Sequence, residues 1–270
     1  ITPRVLPKMD FSKGIPEQCK SLVVMPVLLS NVDEIQALLQ QLELHLLRNN
    51  DPNIFFALLT DFSDAPNQHM PEDDELVRTV REGIAHLNEK YRGQRKDPFF
   101  LFHRGRQWNP TEGSWMGWER KRGKLHQLNN LILGIGESGF DVADGKLEII
   151  HDIQFVITLD ADTILPRGSA RRLIATLSHP LNRAEFASND GPQRGEVVAG
   201  YTVLQPRTEV NPAAANQSLF TRIFSGDTGL DLYTLAVSDV YQDLFGEGIY
   251  VGKGIYDVSA FERSFQGRVP

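Results

Sequence analysis

A chain of 270 residues, 41% hydrophobic and 23% charged, has the composition of a soluble globular protein and enough apolar mass for one large α/β core. Its net charge of -7 argues against a nucleic-acid-binding surface, and no apolar run approaches the roughly 20 residues needed to span a bilayer. The lone Cys19 excludes an intrachain disulfide and an all-cysteine zinc site, and fits a reducing compartment.

Ser21–Leu29 is a continuous apolar run of the kind a buried parallel strand presents. Residues 31–48 follow at helical spacing through Ile35, Leu38, Leu39, Leu42 and Leu46, with Ser30 or Asn31 as the cap. Residues 53–60 predict a second buried strand that ends at Asp61, and 72–91 an amphipathic helix with Leu76, Val80, Ile84 and Leu87 on one stripe. A third strand is expected over 98–103, a helix over 120–135, and a fourth strand over 153–159 that runs into Asp160-Ala161-Asp162. A helix over 167–178, a fifth strand over 196–204, a helix over 211–224 and a short strand over 248–256 complete the pattern. The polar segments 62–71, 104–118 and 181–195 read as loops. The chain opens Ile1-Thr2-Pro3-Arg4 with no Met or signal peptide and closes at Pro270 with no helix stop, so it is expected to be cut from a longer protein.

Such alternation predicts a single α/β domain over residues 1–270, with a mostly parallel central sheet and helices on both faces. Ligands of such sheets sit outside the carboxyl ends of the strands. That rim should hold Asp61, Asp160 and Asp162, with the loops 62–71 and 104–118 beside them.

Two carboxylates at i and i+2 in extended backbone point the same way, so Asp160 and Asp162 form half of a hard-cation site. A Mg²⁺ or Mn²⁺ held there would stabilise a diphosphate leaving group; the plainer reading is a helix cap with a solvated neighbour. Asp61 can accept a hydrogen bond from a base or ribose, or can form an Asx turn with Ser63. In 119–124, Arg120, Lys121, Arg122 and Lys124 put four cations at the start of a helix, where they oppose its dipole. A bound diphosphate would resolve that conflict; a solvated charge run is the alternative. Arg104 and Arg106 could add to the same field. The glycines of 246–254 let backbone approach a ligand, or mark a bulged strand. Trp108, Trp115 and Trp118 could stack on sugar rings or anchor their loop. Gly134, Gly136 and Gly139 fit G-x-G-x-x-G but end a helix, which makes them a C-cap and no dinucleotide fingerprint. The Asn216 sequon comes with no sign of secretion, the seven histidines show no zinc spacing, and there is no nucleophile elbow or Walker loop.

The stretches LPKMDF (6–11), ALLTDFSDA (57–65), EGSWMGWERKRGKLHQLN (112–129), TLDADT (158–163) and AVSDVYQDLFGEGIYVGKGIYDVSAF (236–261) carry a resemblance over essentially the whole chain. It resembles the GT-A nucleotide-diphospho-sugar transferases, and among them glycosyltransferase family 84, the transferase domains of cyclic β-1,2-glucan synthases. The resemblance implies UDP-glucose as donor, a growing β-1,2-glucan as acceptor, and metal-dependent, inverting transfer. It implies a multi-pass bacterial protein with this domain on the cytoplasmic face of the inner membrane, joined to a phosphorylase-like domain. Asp61 would hold the uracil end, Asp160 and Asp162 the metal and diphosphate, and Lys124 would sit near the donor with Arg120 of the same basic run. Gly246, Glu247 and Gly248 would lie near the acceptor, with Trp115 and Trp118 offering faces to its sugars.

Inversion requires a carboxylate base on the acceptor hydroxyl. In related enzymes it follows the segment matching 246–261, which places it after Pro270; neither Glu247 nor Asp257 is assigned the role. Residues 1–270 are therefore expected to bind donor and metal but to transfer sugar poorly. A non-catalytic nucleotide-sugar-binding module and a GT-A transferase for another sugar are the alternatives. A sugar-phosphate nucleotidyltransferase would carry a glycine-rich loop after the first strand, where Pro26-Val27-Leu28-Leu29-Ser30 supplies none. A glycoside hydrolase would leave the basic helix without a role.

Overall fold

The computed structural model describes residues 5–136, 139–187, 195–206 and 252–265, and elements are numbered along these. Strands β1 (Ser21–Leu29), β2 (Ile54–Phe62), β3 (Phe99–Arg104) and β7 (Phe155–Thr158) run parallel. They sit in a seven-stranded sheet of order β10-β11-β7-β1-β2-β3-β6. β6 (Val142–Asp144) lies antiparallel on β3, and β11 (Gly254–Asp257) antiparallel on β7. β10 (Val203–Leu204), antiparallel to β11, runs with the parallel set. The sheet is therefore mostly parallel, as the alternating pattern predicts.

The apolar runs bury both faces, because side chains alternate across a strand. Val23, Met25, Phe56 and Leu58 face helices α1 (Val32–Arg48), α2 (Asp73–Tyr91) and α4 (Ser169–Leu177) through Ile35, Leu42, Val80, Ile84 and Ile174. Leu22, Val24, Leu59, Phe100, Phe102 and Val156 face α3 (Arg120–Leu133) and α5 (Val258–Phe265) through Leu128, Ile132 and Phe261. The caps match the sequence. Asn31 accepts from the Glu34 N–H at 2.9 Å, with Asp33 and Glu34 in the favoured first turn of α1. Gly134, at φ +67°, closes α3 as a left-handed C-cap.

The expected strand over 196–204 is two pieces. Val197–Ala199 (β9) pairs with Glu185–Phe186 (β8) in a small separate sheet, and only β10 joins the main one. Gly200 sits between them at φ +74°, where a Cβ would overlap the Arg183 carbonyl, so the chain turns there. The segment 104–118 is no loop but carries the hairpin β4 (Gln107–Asn109) and β5 (Ser114–Met116). The segment 181–195 contributes β8. Three-residue strands are too short to leave a readable alternation. The predicted helix 211–224 and the first half of 248–256 lie outside the described residues. No helix among the described residues is long and apolar enough to cross a membrane.

Leu128 is fully buried and holds α3 on the sheet. Leu128→Ala is expected to cost about 2–5 kcal/mol, read as a lower urea midpoint at unchanged slope.

Candidate functional site

β2 continues through Phe62, so Asp61 lies inside the strand and not past its end; it stands opposite Arg104 in the β2–β3 register. Residues 57, 59 and 61, like 100, 102 and 104, share the face that α3 covers. Arg104 grips Asp61 with two bonds, Nε to Oδ1 at 2.7 Å and Nη2 to Oδ2 at 2.9 Å. Its other donors reach Gln127 Oε1 at 2.7 Å and the Arg120 carbonyl at 3.1 Å, both on α3. Lys124 Nζ lies 3.2 Å from Asp61 Oδ2 and donates to the Val27 carbonyl of β1 at 2.7 Å. The three side chains belong to residues only 1%, 3% and 2% exposed, so two cations and one anion are buried together. Burial pushes the Lys124 ammonium down to about 8, against the opposing pull of Asp61.

Glycines make room for this cluster. A Cβ at Gly117 would lie 2.5 Å from Asp61 Oδ2, and one at Gly123 would collide with the Trp118 carbonyl and ring. Between them Glu119 and Arg120 both take left-handed backbone, at φ 49° and 48°. Two adjacent non-glycine residues in that region store about 1–3 kcal/mol each and are held there by their surroundings.

Each cation of the basic run has an acidic partner. Arg120 meets Asp64 at 2.8 Å, Arg122 meets Glu119, Lys124 meets Asp61, and Lys121 meets Asp160. Glu119 belongs to the start of α3 itself, but the other three acids come from β2, the loop after it and the turn after β7, so Arg120, Lys121 and Lys124 stitch α3 to the strand ends.

Asp160 and Asp162 stand at the β7 end of the same rim, but not in extended backbone. The Thr163 N–H donates to the Asp160 carbonyl at 2.9 Å, closing a turn that Asp favours at its first position. Lys121 Nζ bonds Asp160 Oδ1 at 2.5 Å, and Lys253 Nζ bonds Oδ2 at 2.9 Å. Lys121 also donates to the Gly252 carbonyl at 3.0 Å. Partial burial would raise the Asp160 carboxyl, but the bonds and charges of Lys121 and Lys253 outweigh it and hold it below its ordinary value. Asp162 is exposed and accepts from Thr163 Oγ1 at 3.3 Å. Among the described residues no three His, Cys, Asp or Glu side chains gather around one point. The donor set still fits a hard divalent cation, which takes one or two carboxylates and completes its shell with substrate phosphates and water.

Trp115 packs on Trp108 across the hairpin at 5.8 Å, and its backbone pairs with Ala65, which fastens the hairpin to the loop after β2. Trp118 is 38% exposed, with its ring beside His126 at 6.4 Å. Gly246, Glu247 and Gly248 lie outside the described residues, but a few positions on Lys253 bonds Asp160, and the Gly252 carbonyl accepts from Lys121. Asp257 faces away from this chemistry. It pairs with Phe155 at the opposite end of β7 and accepts from the Ala260 N–H at 2.9 Å, capping α5. A cleft of about 1080 Å³ runs along the β3–β6 edge past His103, Arg104 and Trp118, and Asp160 is not among the residues that line it. The site is therefore assigned on its charges and not on concavity. Sequence reasoning did not single out Lys253 or the pairing of Lys121 with Asp160. The only local signals were the basic run that contains Lys121 and the glycines on either side of Lys253.

No protein-family model matches the chain. It is similar to Cyclic beta-(1,2)-glucan synthase NdvB of Rhizobium meliloti (strain 1021), at 42% identity over 261 residues. That match covers 96% of this chain but only 9% of the relative's length.

The buried lysine gives stability a pH signature. The unfolded chain keeps the Lys124 proton up to about 10.5, whereas the folded protein releases it near about 8. The unfolded state thus binds more protons in that window, and the stability of the wild type relative to Lys124→Met is expected to rise with pH across it. Urea unfolding of both proteins below pH 8 and near pH 10 measures this.

Proposed function

We propose that the chain is a nucleotide-sugar-binding glycosyltransferase segment of a cyclic β-1,2-glucan synthase. In this reading it moves glucose from UDP-glucose to a growing β-1,2-glucan with inversion. The observation that carries the reading is the charge arrangement on the carboxyl rim. A buried cluster with one cation in excess stands beside a turn that offers two carboxylates, which suits an anionic diphosphate together with a divalent cation. The similarity to a glucan synthase over nearly the whole chain supports the choice of sugar and product.

In this reading Asp61 serves the nucleoside end by fixing Arg104 and Lys124, and Arg120 adds to the donor field at the start of α3. Asp160 and Asp162 would hold Mg²⁺ or Mn²⁺, whose role is to neutralise charge that develops on the leaving diphosphate. The exposed face of Trp118, the Trp115 hairpin and the Gly246-Glu247-Gly248 stretch serve the acceptor. The resemblance places the base that deprotonates the acceptor hydroxyl after the segment matching 246–261 and so outside residues 1–270, and Asp257, committed to a helix cap, is not given that role. Membrane attachment belongs to other segments of the parent protein, with this segment on the cytoplasmic face. A non-catalytic nucleotide-sugar-binding module, with the same donor site and no base, is the second reading.

Calorimetry with UDP-glucose is expected to show binding that strengthens markedly when Mn²⁺ is present, and Asp162→Ala should remove that metal-dependent part. Equal affinity with and without Mn²⁺, or no binding at all, would sink the site assignment. Robust β-1,2-glucan synthesis by residues 1–270 alone would overturn the placement of the base.

A further inference from the structure

The rim holds a second arrangement that a donor site of this kind does not require. Asp160 has two carboxylate oxygens, and each is bonded by a different ammonium, Lys121 on Oδ1 and Lys253 on Oδ2. The two lysines arrive from opposite directions in the chain, one from the first turn of α3 and one from the residue before β11. They are also tied to each other's segments, because Lys121 donates to the Gly252 carbonyl. Gly252 sits at φ +79°, and a Cβ there would come within 3.0 Å of Lys121 Nζ. The left-handed backbone and the missing side chain are thus both used to bring the Gly252–Lys253 pair against Lys121. With Asp162 next to them, the four side chains carry two positive and two negative charges, a balanced set.

Balance has a consequence for ligands. A lone divalent cation must evict one or both ammoniums from Asp160 and then lie beside them uncompensated. A lone diphosphate must pull the lysines away and leave Asp160 unpaired. When both arrive, the cation takes the carboxylates and the ammoniums turn to the phosphate oxygens, so every charge keeps a partner. Lysine suits such an exchange, being a compact point charge on a flexible stem.

We infer that Lys121 and Lys253 are exchangeable counter-ions that hold Asp160 until a divalent cation and a diphosphate arrive together, and then become diphosphate ligands. The inference rests on the donor-site reading proposed above and adds to it two named diphosphate-binding residues and an obligatory coupling between metal and donor. Such a coupling is reciprocal: diphosphate strengthens metal binding by the same factor that metal strengthens diphosphate binding.

The test uses Mn²⁺ and UDP as probes, with free Mn²⁺ followed by electron paramagnetic resonance and UDP by calorimetry. Four proteins are compared: wild type, Lys121→Met, Lys253→Met and the double variant. Wild type is expected to bind Mn²⁺ weakly alone, with Mn²⁺ and UDP each strengthening the other about ten-fold or more. The double variant should bind Mn²⁺ alone about ten-fold more tightly than wild type, because Asp160 is free, and should bind UDP in Mn²⁺ about ten-fold more weakly, so that the coupling collapses. Lys253→Arg, which keeps the charge, should retain most of the coupling. Both lysines are partly exposed, so folding is expected to survive; each single variant gives the same two readouts, with smaller changes, if the double does not fold. Wild-type affinities for both probes in the lysine variants would overturn the inference while leaving the donor site standing. Failure of wild type to bind UDP under any Mn²⁺ condition would remove the donor-site reading and this inference with it.

Discussion

The bidentate ion pair between Asp61 and Arg104, with Lys124 on the same carboxylate, is the constraint on which the rest of the rim depends. It ties β2 to β3 through a register pair and ties both to α3 through Gln127, the Arg120 carbonyl and Lys124 itself. Lys124 reaches on to β1 through the Val27 carbonyl. Four elements are thus fixed by three side chains that are almost fully buried. Such a cluster is costly to desolvate, and it holds together because nearly every donor and acceptor in it has a partner. It leaves one buried positive charge at the edge of a protein whose overall charge is negative. An anion drawn to this chain is drawn here by local arrangement and not by net charge.

The start of α3 shows how much is given up for this. Two left-handed residues in succession, a helix N-terminus crowded with cations, and glycines at 117 and 123 are each unfavourable or permissive features by themselves. Together they set the first turn of the helix so close to the strand ends that Lys121 and Lys124 reach carboxylates on two different strands' termini. The acids repay the helix for its misplaced cations. Local rules broken at one spot, and compensated by tertiary partners, are what functional sites commonly look like.

The two faces of the sheet divide the labour. The face under α1, α2 and α4 is a large apolar core with a few buried polar groups at its carboxyl end, where His103 bonds Thr60 and Arg106 pairs with Asp73 of α2. The face under α3 and α5 is smaller and admits polar side chains at its carboxyl end, where Asp61, Arg104 and Lys124 continue the same alternation that places Leu59, Phe102 and Leu128 deeper in. Past the apolar layer, the positions that would be core become the site. Asp257, at the other end of the sheet, is spent on a helix cap, which separates structural from chemical acids by position alone.

What the sequence by itself determined is the framework. Buried strands at β1, β2, β3 and β7, the amphipathic stripes of α1 and α2, the Asn31 cap and the Gly134 stop all follow from local periodicity and capping, because burial on both faces demands apolar runs and helix ends demand partners. Strand ends on one rim, with Asp61 and Asp160 among them, followed from the alternation of strand and helix. What only the tertiary structure decided is which charge meets which. Arg104 opposite Asp61, Lys121 and Lys253 on one carboxylate, and the hairpin closed over Ala65 join residues separated by as many as 131 positions, as in the Lys121–Gly252 bond. A charged residue carries no local mark of its partner, since ion pairs form through space between ends of elements whose spacing is set by the packed core. Short strands such as β4, β5 and β6 were hidden for a related reason: three residues cannot display a period, and their existence depends on the neighbour they pair with.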